Sequence, residues 1–580
     1  MSKRRTALVT GALILAGWAQ AASDPFSRYL NHRFNAESMQ IKEVQGLSDR
    51  IHDGKLYLRL RQFLELVLKN STDLQVTRLD TYTAFNQIGA ARAPFDPALG
   101  AQFTALRSVS PLFFQSGGTT IPLGGTSGNG NSSGGGGNTG TGTSTGTNSV
   151  INLPQTINSL SQNSTLTYSQ LLPTGQSLNT SFSAFRSSGN SYTFPILFGN
   201  LNFALTQPLL QNRTNLQYRA PLTVAKTQLL IASEQSEATI GTAVAAAARQ
   251  YWDAIQARDN IHVQQMTLDL ARKSYERDKL ALQLGALAKL DIFQSQTQVA
   301  ERNRDLVQAQ YTYKIALDGL RRLIGADLTP ESRNTEIVLE DDASAVPPKS
   351  AILPFEDALA KALGARPEEK AVGQLLAIDD LNAKTARDAL LPRLDLSIQG
   401  GSTGPGLNQV SPGSVIGVPS NTPYPGIGDT LRQVLAFDFP SYGFGLQMTF
   451  PFRNSTARAN LANSLVSKAK NEYGKRLTQQ QITFDVRQAI NSIELADASI
   501  GAAVQARDLA QKNVGAEQQK YELGSITAFE LLDSQTRLAS AESALLNAYV
   551  TYQQAFINYQ RATWTLLDGL GMVIETPKVR

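Results

Sequence analysis

The chain has no cysteine, which excludes disulfides, thiol nucleophiles and thiolate metal sites throughout. Histidine is almost as scarce: His32, His52 and His262 are the only three, they are not clustered, and no metal-ligand spacing appears. No segment after the N-terminus approaches the roughly 18 consecutive apolar residues of a membrane-spanning helix. If this chain crosses a bilayer, it does so as a β-barrel, in which apolar residues only alternate. An excess of one charge is missing too. The net charge of +5 is small for 580 residues, and Lys and Arg are interspersed with Asp and Glu, so no nucleic-acid face is expected. There is no Ser-His-Asp order, no phosphate loop and no marked pair of carboxylates, so the reading is not an enzyme and takes no cofactor and no metal.

What the chain does have is a long-range echo. The run Leu284-Gly285-Ala286-Leu287-Ala288-Lys289-Leu290-Asp291-Ile292-Phe293-Gln294-Ser295 returns, ungapped and 239 residues later, as Leu523-Gly524-Ser525-Ile526-Thr527-Ala528-Phe529-Glu530-Leu531-Leu532-Asp533-Ser534. Repetition at such spacing marks a duplicated architecture rather than one core with a pocket. Each copy is a glycine turn between two very long helical segments. The first pair runs from about Leu216 to Leu284 and back to about Ile324, the second from about Ala457 to Leu523 and back to about Leu567. Near seventy residues at 1.5 Å each give roughly 100 Å, a length that needs lateral packing to be stable.

Each half opens with a shorter helix, roughly Leu60 to Ala93 and Pro354 to Leu390, which stops at an Arg and a Pro. Segments of period 2 follow: Ala98 to Val109, Thr165 to Leu171, Leu178 to Phe185 and Leu201 to Pro208 in the first half, Leu394 to Ile398 and Tyr442 to Pro451 in the second. They are interrupted by Gly117 to Asn148, almost entirely Gly, Ser, Thr and Asn, and by the Gly-, Pro- and Ser-rich Gly400 to Gly428; both read as loops. At the N-terminus, Lys3, Arg4 and Arg5 precede a short apolar run and Ala19-Gln20-Ala21, the pattern of an export signal.

The last helix carries two apolar seams. Leu538, Ala541, Leu545, Ala548, Tyr552, Ala555, Tyr559, Ala562 and Leu566 keep 3,4 spacing, and Phe529, Leu532, Thr536, Ala539, Leu546, Val550 and Ile557 make a second line. A helix with two seams has a neighbour on each side. Repeated, that makes a wall of helices that closes into a hollow cylinder, or else a solid bundle or solenoid with the same seams.

With these residues in view, the chain from about 56 to 570 resembles the outer membrane efflux proteins, the TolC-like channels. The resemblance rests on helix, strands, long helix, glycine turn and return helix occurring twice in that order, and on extended segments ending Thr206-Gln207-Pro208 and Thr449-Phe450-Pro451. It implies a mainly α fold with a transmembrane β-barrel portion: a homotrimer whose strands form one barrel in the outer membrane and whose helices form a cylinder in the periplasm. It also implies docking of the turns Leu284, Gly285, Ala286 and Leu523, Gly524, Ser525 to a periplasmic adaptor (a membrane fusion protein) and, through it, an inner-membrane pump. Glu530 and Asp533 match two acids that ring the periplasmic entrance, and Asp291 and Tyr521 match an Asp and a Tyr that latch it. The family's latching Arg is replaced here by Ile526.

The expected organisation is a signal peptide over 1–22, an N-terminal extension over 23–55, a first repeat over 56–330 with a Gly/Ser-rich loop at 111–160 and its tip near 285, an equatorial segment over 331–353, a second repeat over 354–570 with its tip near 524, and a tail over 571–580. The expected function is an export duct. The alternative is an adhesive or structural coiled-coil surface protein with no conducting channel; conductance separates the two.

Overall fold

The structure, a computed structural model, describes residues 41, 46–47, 50–111, 156–190, 195–284, 291–328, 330–405, 426–523 and 525–569. The export-signal, C-terminal-tail and Gly117–Asn148 expectations fall outside these. In chain order the first half contains β1 (Ile51–His52), β2 (Lys55–Leu58), α1 (Leu60–Asn70), α2 (Thr72–Arg92), β3 (Ala98–Pro111), β4 (Thr156–Leu171), β5 (Ser177–Gly189), β6 (Ile196–Pro208), α3 (Leu216–Gln283) and α4 (Asp291–Leu323). After the short α5 (Pro330–Arg333) and β7 (Glu336–Leu339) come α6 (Phe355–Ala365), α7 (Pro367–Asp388), β8 (Arg393–Gly404), α8 (Ile427–Ala436), β9 (Pro440–Thr449), α9 (Ser455–Glu522), α10 (Ala528–Ala562) and α11 (Leu566–Gly569). No helix among the described residues is long and apolar enough to cross a membrane.

Two expectations about the short helices need correction. The single helix read over Leu60 to Ala93 is broken at Ser71, whose backbone is extended, and the one read over Pro354 to Leu390 is broken at Arg366. The second break was written in the sequence: Pro367 disfavours a helical backbone at the residue before it, and it then serves as the first residue of α7. Arg366 is buried in the gap and donates from Nη1 to Asp485 Oδ2 at 3.1 Å.

The chain divides into two compact units. One comprises residues 76–245, 346–501 and 551–580. Its sheet has six strands, all antiparallel to their neighbours, in the order β3-β4-β5-β6-β8-β9. The registers line up Leu99, Phe103, Leu166, Phe182, Leu201, Phe203, Ile398 and Phe444 on one face, and Thr104, Thr165, Ser181, Asn202, Ser397 and Gly445 on the other. An apolar face exposed as broadly as Tyr442 (92%) and Phe444 (83%) is the pattern of a membrane barrel wall, lipid outside and water inside. A short helix missed by the sequence reading, α8, lies on the apolar face. There a Cβ at Gly199 would come 2.7 Å from Thr430 Cγ2, so glycine is what lets the helix seat. The loop read over Gly400 to Gly428 is accordingly shorter at both ends: β8 runs on to Gly404 and α8 begins at Ile427.

The strand-to-helix corner is built by Asn212 and Asn215, both left-handed in φ. Fully buried Asn215 donates from Nδ2 to Leu172 O at 3.2 Å in the β4–β5 turn, where Gly175 has φ +96°. In the helical part, Ala358 and Ala362 of α6, Ile482, Val486, Ala489 and Ile493 of α9, and Tyr552, Ala555 and Tyr559 of α10 form a continuous apolar cluster. Small alanines let the helices approach closely, while each tyrosine buries its ring and finds a partner for its hydroxyl: Tyr552 donates to Pro347 O and Tyr559 accepts from Leu353 N. Trp564, left-handed at φ +58°, lies against Gly241; a Cβ there would stand 2.4 Å from the indole ring.

The other unit comprises residues 1–75, 246–345 and 502–550. Its small sheet pairs β2 antiparallel with β1 and parallel with β7. Residues 50–55, expected to be part of an unpatterned extension, therefore already contain β1 and the start of β2. Asp341 ties this sheet to α1 and α3: its Oδ2 accepts from Leu60 N at 2.7 Å and from the Tyr251 hydroxyl at 2.8 Å. Burial, and then the Asp341 charge, push the Tyr251 phenol well above its ordinary range. Arg258 completes the tie by donating to the carbonyls of Leu339 and Asp341.

Candidate functional site

The helix ends near the two glycine turns lie within one compact unit. α9 and α10 end and begin there for local reasons. Ser525 closes α9 by donating both its N–H and its hydroxyl to Lys520 O. Thr527 caps α10: its Oγ1 accepts from Glu530 N, and Glu530 Oε2 accepts from Thr527 N at 2.9 Å. That reciprocal pair is a capping box, which satisfies otherwise orphaned N–H groups and places a negative charge at the positive end of the helix.

Both acids expected at the entrance therefore have partners within the chain. Glu530 folds back on the cap. Asp533, one turn further on, is exposed and receives Arg537 Nε at 2.8 Å. Arg537 was not singled out in the sequence, although an Asp and an Arg at i and i+4 on a helix are a legible pair.

Tyr521 meets a carboxylate that the sequence reading did not single out. Its hydroxyl donates to Asp278 Oδ1 at 3.0 Å. The side chain of Asp291 lies outside the described residues; Asp291 is the first residue of α4. Asp278 is 2% exposed and receives the Ser295 hydroxyl on its other oxygen. The Arg277 guanidinium stands 3.6 Å from Asp278 and 4.1 Å above the Tyr521 ring. One buried carboxylate thus joins α3, α4 and α9. Burial first, and then the neighbouring Asp278 charge, raise the Tyr521 phenol above its usual range, so it stays a protonated donor at neutral pH. Arg302 adds a further tie, donating to Thr536 Oγ1 at 2.7 Å.

Of the turn residues, Gly285, Ala286 and Gly524 lie outside the described residues. Leu284 and Leu523 are 76% and 84% exposed, and Phe293 and Phe529 are exposed close by in sequence. Ser525 is also exposed. Among the described residues no cluster of His, Asp or Glu could hold a metal ion.

Comparison with known proteins decides the family. The profile of the family described as Outer membrane efflux protein matches residues 176–326 and 358–563. The chain belongs to this family. Among curated proteins it is 24% identical over 335 residues to the pyoverdine export outer membrane protein OpmQ of Pseudomonas aeruginosa, an alignment covering 57% of this chain and 64% of OpmQ. Its fold is shared with the outer membrane channel CmeC of Campylobacter jejuni (TM-score 0.55, 14% identity, 92% of this chain and 90% of the other). It is shared also with VceC of Vibrio cholerae (TM-score 0.56, 14% identity, 87% and 95%). This member of the outer membrane efflux protein family spans less than two thirds of OpmQ's length, and is mainly α with a β-barrel portion in the outer membrane and a helical portion in the periplasm.

Proposed function

We propose that three copies of this chain form the outer-membrane duct of a tripartite export system. An inner-membrane pump supplies the substrate through a periplasmic adaptor that docks on the turns at 284–286 and 523–525. The observation that carries the duct is the six-stranded sheet: it has a lipid face, a polar face and two edges unpaired among the described residues, the pattern of a barrel wall that further copies close. The exposed stripe Val466, Tyr473, Leu477 and Phe484 on α9, spaced 7, 4 and 7, supports the same reading, because it offers a coiled-coil seam with no partner among the described residues. At the tips, exposed Leu284 and Leu523 give an adaptor apolar contacts.

In this reading Glu530 and Asp533 surround the entrance, six carboxylates to a trimer, with Arg537 moderating each Asp533. Tyr521 latches it through Asp278. The test is single-channel recording in planar bilayers on protein whose mass has been fixed by light scattering. A trimer that conducts is expected. A stable monomer overturns the assembly, and a silent trimer favours the stalk alternative.

A further inference from the structure

The sheet bears on how wide the exit of the duct is. The first half supplies four strands and the second two. The two added by comparison with the second half are not loosely appended. β3 and β4 pair over fourteen residues and β4 and β5 over thirteen. The β4–β5 turn is sewn to the start of α3 by buried Asn215, which donates to Leu172 O. The hairpin is therefore part of the wall.

The two edges are matched to each other. Neighbouring strands alternate in direction across all six positions, so β9 runs opposite to β3 and an antiparallel junction between copies closes without a break in pattern. Each edge is long enough to cross a bilayer, where about 9–11 residues suffice, and neither carries a proline away from its end. The faces also continue across the seam. Phe444 and Leu446 on β9 and Leu99 and Phe103 on β3 belong to the lipid face, Ser441 and Gln447 on β9 and Gln102 and Thr104 on β3 to the water face.

We infer that the exit of this channel is an 18-stranded barrel, six strands from each of three copies joined β9 to β3, wide enough to be an aqueous pore that sieves nothing small. The inference rests on the trimer proposed above. Strands about 4.8 Å apart and tilted about 40° give a barrel roughly 35 Å across at the backbone. The inward residues are mainly Gly, Ser, Thr, Asn and Gln, which take little of that width. Selection then falls to the periplasmic end and to the pump, and the exit accepts hydrophilic cargo of peptide size as readily as small solutes.

The absence of native cysteine makes the test clean. Double variants pair Gln447→Cys or Ser441→Cys on β9 with Gln102→Cys or Thr104→Cys on β3, all on the water face, and a second set pairs the same β9 positions with Asn179→Cys or Ser181→Cys on β5. After mild oxidation of membranes, covalent trimers on denaturing gels are expected from at least one β9–β3 pair and from no β9–β5 pair. Cross-linking of β9 to β5 overturns the inference, since it means a 12-stranded barrel with the β3–β4 hairpin outside the wall. A trimer, by light scattering, that cross-links in neither set also overturns it. A monomer by light scattering overturns the trimer itself, a result the two gel patterns do not produce.

Discussion

The two helix tips are copies of each other in sequence and differ in what they bury. At an offset of 239 residues Asp278 corresponds to Glu517, Ser295 to Ser534, Arg277 to Ala516 and Tyr521 to Leu282. In the first tip the serine hydroxyl goes to the buried Asp278, which also holds Tyr521 and lies beside Arg277. In the second, the equivalent Ser534 is just as buried but turns to the carbonyl of Leu531 in its own helix, and the half-buried Glu517 pairs with exposed Lys520. The helices themselves are equal, 68 residues in each half. Duplication thus keeps helix length and seam, which packing between neighbours dictates, while polar groups have diverged so that only one tip carries a buried charge. A buried carboxylate with two hydroxyl donors and a guanidinium beside it costs a great deal to disturb, and a more exposed pair costs little.

The largest expected effect follows directly. Asp278→Ala strands Arg277, Ser295 and Tyr521 and should weaken the tip by about 3 kcal/mol, a hundredfold or so in local opening. Glu517→Ala should cost at most about 1 kcal/mol. Hydrogen exchange of amides around 278 and 521, measured on the detergent-solubilised protein, reads the difference. Equal loss of protection in the two variants would erase the asymmetry. Single-channel conductance of Asp278→Ala should also rise, since the tie between α3, α4 and α9 is cut.

A smaller effect tests the opposite asymmetry. The pair of acids proposed for the entrance is complete in the second tip alone: Glu530 stands where the first has another acid, Asp291, but Asp533 stands where it has Gln294, and the capping threonine Thr527 where it has Ala288. Glu530→Gln with Asp533→Asn should shift the reversal potential in a salt gradient towards that of a non-selective pore. The stability loss should stay near 1 kcal/mol, because only a helix cap and one exposed ion pair are weakened. Unchanged selectivity would remove these acids from the entrance.

These contrasts also mark where the sequence could be read. Long helices and period-2 strands were legible because their patterns repeat over many residues: α3 and α9 lie within a few residues of the ranges read from apolar spacing and the glycine turns. The break at Arg366 had a local signal in Pro367, whereas the break at Ser71 had none so plain. The helix α8 hid in a Gly- and Pro-rich stretch because its ten residues make under three turns. In the candidate site, the capping of Glu530 by Thr527 and the pairing of Asp533 with Arg537 follow from spacings of three and four. Asp278 does not. It lies 243 residues from Tyr521, in a helix with six other acids, and only packing shows that this one is buried. The resemblance pointed to Asp291 by its spacing from the glycine turn, whereas the burial of Asp278 on the opposite helix leaves no such spacing to read.

The smallest effect concerns pH and the hydroxyl that only the second half contributes, at Tyr521. Burial and the Asp278 charge raise this phenol, so the folded tip holds its proton more tightly than the unfolded chain does. The stabilisation is therefore complete below the ordinary phenol value of about 10 and is lost as pH climbs through the raised one. Across neutral pH the latch should not respond. Above about pH 10 it should weaken as phenolate forms beside carboxylate, and conductance should climb. Tyr521→Phe keeps the ring against Arg277 and lacks the hydroxyl. Its conductance should be modestly raised at neutral pH and should not show the alkaline step. Recordings from pH 7 to 11 on both proteins, at fixed ionic strength, separate this from a general alkaline loosening at Tyr251, which both retain. An alkaline step of the same size in Tyr521→Phe would mean that the tip opens through the Tyr251–Asp341 tie and that the hydroxyl at 521 has no part in closing the channel.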